Sequence, residues 1–480
     1  MSKILVTGAT GFVGKRLILA LLAAGHQVYA NCRIKGSPIF TEEKSHLFYV
    51  WGDLRNSETF ATVPEDIDAA YYLVHSMSGV VANLSSAEEE VANSFVKGME
   101  QKKIRQLIYL GGIINDEHAL SPHLGSRLKV ENILTHSAIP TTILRASIII
   151  GAGSASFEII RDLCEKLPIM IAPKWVNSQC QPIAISDVLF YLEQVLLKEE
   201  CYNKIFDIGG PEVLSFKQLM QNYSSFRGLK TKIFEVPFLT PRLSSFWLFF
   251  ITSVRFSICY YLVESMKSNT VVKLGNIMEL FPHTCLNYQQ SLQSAFDNIS
   301  NNGVESTWMD SWETNELNPN IEEYLKIAEK GDSLKDQQRV PITASKEIVI
   351  DRIFRIGGKT GYYAFDWAWN LRGLLDKMVG GIGLNRGRRD TSNIQVGESI
   401  DFWRVLVADK QKGHLVLFSS MKVPGNAWLT FQLTEEEEKI FLVQTAIFQP
   451  RGLWGRLYWC LLFPIHFFLF KSMAKNIAKA

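Results

Sequence analysis

No two of the seven cysteines stand as CxxC, and their odd number and scatter (Cys32, Cys164, Cys180, Cys201, Cys259, Cys285, Cys460) fit a reducing compartment better than a disulfide framework. Free thiols in a reducing, cytoplasmic compartment are expected. The nine histidines contain no HExxH pair and none joins cysteine at ligand spacing, so no metal site is expected. Fifty Lys and Arg stand against 48 Asp and Glu, and a formal charge of +2 gives no global field for nucleic acid. A basic partner site has to be local. Clean apolar runs of about 20 residues, the length a bilayer-spanning helix needs, are also missing. Phe246 to Val263 carries Arg255 in its middle, and Leu457 to Phe470 contains Pro464 and His466. Both are expected as buried or half-buried helices. The first apolar run, Ile4 to Val6, is followed at once by glycines, so no secretory leader is expected.

What the chain does have is apolar bulk, 47% hydrophobic residues with 29 Phe, 11 Trp and 15 Tyr in 480, enough for two or three cores. Short apolar runs (KILVTG, VYANCR, LFYVWGDL, AAYYLVHSM, RQLIYLGG) alternate with helical stretches, Phe12 to Ala24 and around Glu88 to Gln101. That alternation is the sequence form of an α/β, doubly wound parallel sheet. The predicted division is a nucleotide-binding domain over 1–297, a polar connection over 298–340, and an α+β domain over 341–480. The last begins with a helix near Tyr362 to Lys377, continues as a four-stranded antiparallel meander (DFWRVLVA, HLVLFSSM, AWLTFQL, KIFLVQTAIFQ) and closes with an apolar helix from about Leu457.

Directly after Ile4 to Val6 comes TGATGFVG, which sets Gly8, Gly11 and Gly14 at the start of a helix. Strand, glycine turn and helix in that order make a cradle for a pyrophosphate. Gly8 lets the chain turn, Gly11 lets the backbone approach the diphosphate, and Gly14 lets the helix sit close to the strand. Thr7, Thr10, Phe12 and Val13 complete the segment expected against the cofactor. After the second strand an NAD enzyme usually places an acid for the ribose hydroxyls. This chain instead reads Asn31, Cys32, Arg33, with Lys35 nearby, and a cation there suits a 2′-phosphate. NADP(H) is therefore expected ahead of NAD(H), with a solvated surface charge as the other reading of Arg33. Gly52, Asp53 and Leu54 close the third strand; Asp53 reads either as an acceptor for the adenine amino group or as a turn cap.

These residues resemble the atypical and extended branches of the short-chain dehydrogenase/reductase superfamily, over about residues 1 to 290. QPIAISDV (Gln181 to Val188) and FDIGGPEVLSF (Phe206 to Phe216) look like the later, substrate-side segments of such proteins. The resemblance implies a Rossmann fold with the cofactor across the carboxyl ends of the strands. It also implies a YxxxK pair with a serine after the fifth strand, and this chain departs from that pattern. Gly111 and Gly112 stand in place of the serines, and HLGSRLKVENIL puts His123 and Arg127 at the Tyr and Lys positions. An imidazole transfers protons near neutral pH, and a fixed cation beside it favours the neutral form. His123 and Arg127 are thus the candidate catalytic pair. The other reading makes His123 a polar helix-start residue and Arg127 a cofactor ligand, as in members of the superfamily that keep the nucleotide and lose the reaction. Ser126 has no base paired with it, and Tyr109 lies inside a strand.

Residues 346–480 resemble the helix-grip architecture of the START and polyketide-cyclase group, and a family of uncharacterised domains fused behind Rossmann domains; RGLWGRLYW (Arg451 to Trp459) and the final helix carry the likeness. It implies a hydrophobic cavity for a lipid-like or polycyclic ligand. From Lys439 to Ala480 there are six Lys or Arg and no acid, and Lys471, Lys475 and Lys479 share a helix face. Peripheral contact with the inner face of the cell membrane is expected there. The reading is an NADP(H)-dependent oxidoreductase of a hydrophobic carbonyl or alcohol. The alternatives are a non-catalytic NADP(H)-dependent regulator or assembly factor, and a lipid-binding protein.

Overall fold

The computed structural model describes residues 1–33, 39–40, 44–74, 84–115, 122–236, 263–264, 266–300, 333–378, 381, 383, 394, 399–436 and 439–479. The chain divides into two compact units, Met1–Pro319 and Asn320–Ala480. Lys35, Cys259 and the apolar run of 246–262 lie outside the described residues.

The first unit is built on seven parallel strands: β1 (Lys3–Val6), β2 (Gln27–Cys32), β3 (Leu47–Trp51), β4 (Ala69–Tyr72), β5 (Gln106–Gly112), β6 (Thr141–Ala146) and, later in the chain, β11 (Lys204–Ile208). Their order across the sheet is β11-β6-β5-β4-β1-β2-β3. The order reverses between β1 and β4, and the carboxyl ends of strands beside such a reversal form the crevice where this architecture takes its ligand. Both faces of the sheet are covered, which is why β1 reads as an unbroken apolar run. Ile4 and Val6 face a core shared with Leu17 and Leu21 of α1 (Phe12–Ala23), while Leu5 faces a second core with Phe95 and Met99 of α3 (Leu84–Lys102). Between β3 and β4 lies the short α2 (Glu58–Ala61), and α4 (Pro122–Thr135) packs beside α3.

After β6 the chain builds a smaller, separate core. It uses β7 (Ile149–Ile150), α5 (Ala155–Lys166), β8 (Ile169–Pro173), β9 (Gln179–Cys180), β12 (Leu214–Ser215), α7 (Phe216–Phe226), β13 (Lys232–Val236) and α9 (Tyr288–Ser300), while β10 (Ile183–Ala184), α6 (Ile185–Gln194) and α8 (Ile277–Leu280) join the sheet core that α1 covers. The Phe157, Tyr223 and Phe296 rings pack together there, and α7 starts on a capping box between Ser215 and Gln218.

The second unit is α+β with an antiparallel sheet. Its strands β14 (Leu334–Pro341), β15 (Ser399–Ile400), β16 (Trp403–Asp409), β17 (His414–Ser419), β18 (Gly425–Glu436) and β19 (Lys439–Pro450) run in the order β14-β19-β18-β17-β16-β15. Two of these strands are additions to the expected meander. β14 takes Leu334 to Val340 out of the expected connection and pairs them with β19 from Leu334–Phe448 to Pro341–Phe441. Its alternation was hidden because polar residues occupy the inner positions: Asp336 and Gln338 are buried, and Gln338 Nε2 donates to Asp336 Oδ1 at 2.6 Å. Helices α10 (Lys346–Ile353), α11 (Asp366–Met378) and α12 (Gly452–Ala478) complete the unit. Tyr362 stacks on Trp369 at 4.4 Å, and Trp369 meets Phe470 of α12 at 6.1 Å, so aromatic rings fill this part of the core.

Candidate functional site

The glycine turn stands at the carboxyl end of β1. Thr7 is fully buried, and its hydroxyl donates to the Tyr71 carbonyl (2.9 Å) and accepts from Leu73 N (3.3 Å), which ties β1 to the end of β4. Thr7 therefore positions the turn. Gly8 adopts φ +64°, and a Cβ there would stand 2.4 Å from the Leu73 carbonyl oxygen, so only glycine serves. A Cβ on Gly14 would stand 2.2 Å from the Gly8 carbonyl oxygen, which fixes how closely α1 packs on the turn.

Gly11 is the N-cap of α1 with an ordinary extended backbone (φ −74°, ψ 170°) and puts no side chain over the first turn. The amides of Phe12, Val13 and Gly14 are the first of the helix, no acid stands among them, and the helix dipole adds positive potential at that point. Thr10 lies half-buried within the turn. Arg16 locks the turn in place: its guanidinium donates to the Phe12 carbonyl (3.0 Å) and the Ala152 carbonyl (2.9 Å) and lies over the Phe12 ring. A tight glycine turn leading into a helix N-terminus with no acid in its first turn fits a dinucleotide pyrophosphate.

At the tip of β2 the position expected to be acidic belongs to Asn31, which is buried and donates to the Val50 and Gly52 carbonyls (3.2 and 3.1 Å). Those bonds hold the ends of β2 and β3 together. Arg33 is exposed beyond it and lies beside Asp53 and Arg55. The Asp53 carboxylate is engaged: Arg55 donates from Nε (3.1 Å) and N (2.9 Å) to Oδ1 and from Nη2 to Oδ2 (2.7 Å), and holds the carboxyl below its ordinary range. Two arginines thus stand beside one carboxylate. Arg55 was not singled out from sequence, although an arginine two residues after a strand-end aspartate is a readable signal for such a clamp. Leu54 turns inward and packs with Val50 and Phe60.

At the end of β5, Gly112 lies under Arg127. A Cβ on Gly112 would stand 3.7 Å from Arg127 Nη1 and 3.4 Å from Leu124 Cδ2. Arg127 Nε is buried without a hydrogen-bond partner among the described residues. His123 is one turn earlier on α4, and its side chain lies outside the described residues. Ser126, on the same helix, is committed to Glu88 of α3, to which its hydroxyl donates. Below this, Arg145 of β6 pairs with Glu131 of α4 through Nε (3.0 Å) and Nη2 (2.5 Å), both side chains buried. Tyr109 is buried as well, and burial raises its phenol well above the ordinary value, so it is a packing residue.

Asp187 of α6, His283 and Cys285 bring ligand-type atoms within 4.8 Å of one another. The carboxylate there is satisfied by the protein itself, meeting His283 Nε2 and Leu286 N at 2.9 Å each, and His283 stacks on Phe190. The group fastens the segment after α8. The described cysteines are all free thiols.

Residues 8–162 match a family described as NAD(P)H-binding. The first unit has a Rossmann fold. Residues 330–473 match a family described as a protein of unknown function (DUF2867). Among solved structures, a nucleoside-diphosphate-sugar epimerase from Staphylococcus aureus superposes with a TM-score of 0.50 at 14% identity, over 61% of this chain and 100% of that one. Among curated proteins the chain is 21% identical over 249 residues to the photosystem II assembly factor Ycf39 of Trieres chinensis, covering 52% of this chain and 76% of that one. It is 23% identical to the divinyl chlorophyllide a 8-vinyl-reductase of Cucumis sativus, covering 49% and 59%. A 3-beta-hydroxysteroid dehydrogenase of Mycolicibacterium neoaurum is 32% identical over 111 residues, 23% of this chain and 29% of its own.

Proposed function

We propose that the first unit binds NADP(H) in preference to NAD(H) and uses it to reduce a hydrophobic carbonyl compound. Arg33 and Arg55 at the β2–β3 tips supply the charge for a 2′-phosphate, with the Asp53 carboxylate orienting Arg55. NADPH supplies a hydride to the carbonyl carbon when bound. The observation that carries the reading is Arg127 lying against Gly112 at the end of β5, with its buried Nε unpaired. A fixed cation there holds the oxyanion that forms as the carbonyl electron pair moves to oxygen. His123, four residues earlier on α4, delivers the proton that completes the alcohol. An apolar substrate is supported by the smaller core of this unit, where Ile169, Ile171 and Phe234 are exposed on one face of the β8–β13 pair.

The test is NADPH oxidation by the full chain with and without a total lipid extract, with cofactor binding measured in the same samples. Oxidation is expected only with the extract and is lost in Gly11→Val. Arg127→Ala is expected to keep NADPH affinity within about threefold while turnover falls about a hundredfold. A second reading, a non-catalytic NADP(H)-dependent regulator or assembly factor, is favoured by the glycines at 111 and 112, which bring no hydroxyl to the reacting edge, and by the similarity to Ycf39. Tight NADPH binding with no oxidation in any fraction assigns that role.

A further inference from the structure

The helix that closes the second unit is longer than the sequence suggested: α12 runs 27 residues, from Gly452 to Ala478, and is long and apolar enough to cross a membrane by length and composition. Its two halves have different surroundings. Toward the C-terminus, Leu469, Phe470, Met473 and Ile477 are buried in the sheet core with Leu417 and Phe431. Those residues cannot face lipid without dismantling the unit, so the helix does not span.

Toward the N-terminus the pattern inverts. Leu453 is 84% exposed, Trp454 78%, Leu461 69% and Phe468 68%; with Leu457 and Ile465 they recur every three or four residues along one face. The same face continues past Phe468 as Lys471, Lys475 and Lys479, all exposed. The neighbouring helix, α11, exposes apolar side chains as well. Trp367 of α11 is 67% exposed and Met378 66%, with Leu371, Leu374 and Leu375 also exposed between them. Arg372 joins the two helices, donating to the Tyr458 hydroxyl.

We infer that this α11–α12 face lies on an anionic lipid bilayer, with the apolar side chains in the headgroup–acyl boundary and the lysines against lipid phosphates. Three observations select that occupant. Large apolar side chains are exposed in a row along one face of each of two helices of one unit, which scattered surface residues would not give. Basic groups flank it at both ends, Arg451 and Arg456 at one and the lysines at the other, while residues 439–479 contain no acid to repel an anionic surface. Tryptophan stands at the rim of each helix, the side chain that favours the membrane interface. The inference is independent of the reaction assigned to the first unit.

The test is co-sedimentation of the full chain with phosphatidylcholine vesicles, with and without about 30% phosphatidylglycerol, at low and high salt, alongside its oligomeric state by light scattering. Binding to the anionic vesicles is expected at low salt, with about tenfold weaker binding at high salt or without phosphatidylglycerol. Leu461→Glu with Ile465→Glu is expected to abolish it. Lys471→Gln with Lys475→Gln, which touches only exposed side chains, is expected to weaken binding to anionic vesicles several-fold and leave thermal stability unchanged. Failure of the wild type to sediment overturns the inference, as does a dimer that Leu461→Glu dissolves with no effect on vesicles. Bound protein that resists both high salt and carbonate would overturn it in favour of insertion.

Discussion

Arg55 closes on Asp53 through three hydrogen bonds, one from its backbone amide and two from its guanidinium, in the loop that follows β3. The carboxylate, read from sequence either as an adenine acceptor or as a turn cap, thus holds an arginine in place beside Arg33 at the tip of β2. Arg33→Asp is expected to weaken NADPH binding at least about tenfold and NADH binding by less than about threefold, because a charge-assisted bond to the 2′-phosphate exists for only one of them. Asp53→Asn, which releases Arg55 without removing it, should weaken NADPH binding less than Arg55→Ala. Calorimetric titration of both nucleotides checks these outcomes, and equal losses for the two would remove the 2′-phosphate site.

Arg145 and Glu131 form a buried ion pair beneath the end of β5. Removing one member leaves the other charge in a low-dielectric core, so Glu131→Ala is expected to destabilise the first unit by about 3 kcal/mol. Urea unfolding followed by the cooperative loss of helix signal measures it. A change below about 1 kcal/mol would mean that water reaches the pair.

His466 carries a pH dependence in the second unit. Burial, with a smaller contribution from the Arg372 charge, pushes its imidazole down to about 4, so it stays neutral in the folded chain while the unfolded chain takes up a proton near pH 6.5. The stability it contributes is complete above about pH 6.5 and is lost as the pH falls toward 4, by about 2 kcal/mol at pH 5. His466→Leu should shrink the difference in unfolding midpoint between pH 7 and pH 5, and an unchanged difference would place the proton uptake on another group.

The alternating apolar runs announced the parallel sheet because strands buried on both faces leave no other pattern, and the glycines at 8 and 14 announced the turn because backbone proximity requires them. Pairing in the second unit was less legible. β14 turns Asp336 and Gln338 inward, which reverses the usual code for a strand face. The length of α12 was hidden by Pro464 and by the charged residues at its ends, since composition alone does not tell an interrupted apolar run from a continuous helix. In the candidate site, the spacing that put Arg127 at the lysine position carried it to the end of β5. Arg55 escaped notice because its role depends on a loop conformation that brings it back onto Asp53 two residues away.

Titration of the full chain with NADPH and NADH, with Gly11→Val alongside, tests the account most directly. Gly11 has a backbone any residue adopts, so valine there adds bulk at the N-terminus of α1 without having to enter a left-handed conformation. The account predicts NADPH bound at least about tenfold more tightly than NADH, and neither bound by Gly11→Val while its unfolding midpoint stays that of the wild type. Equal affinity for the two nucleotides, or binding that survives the valine, would contradict it.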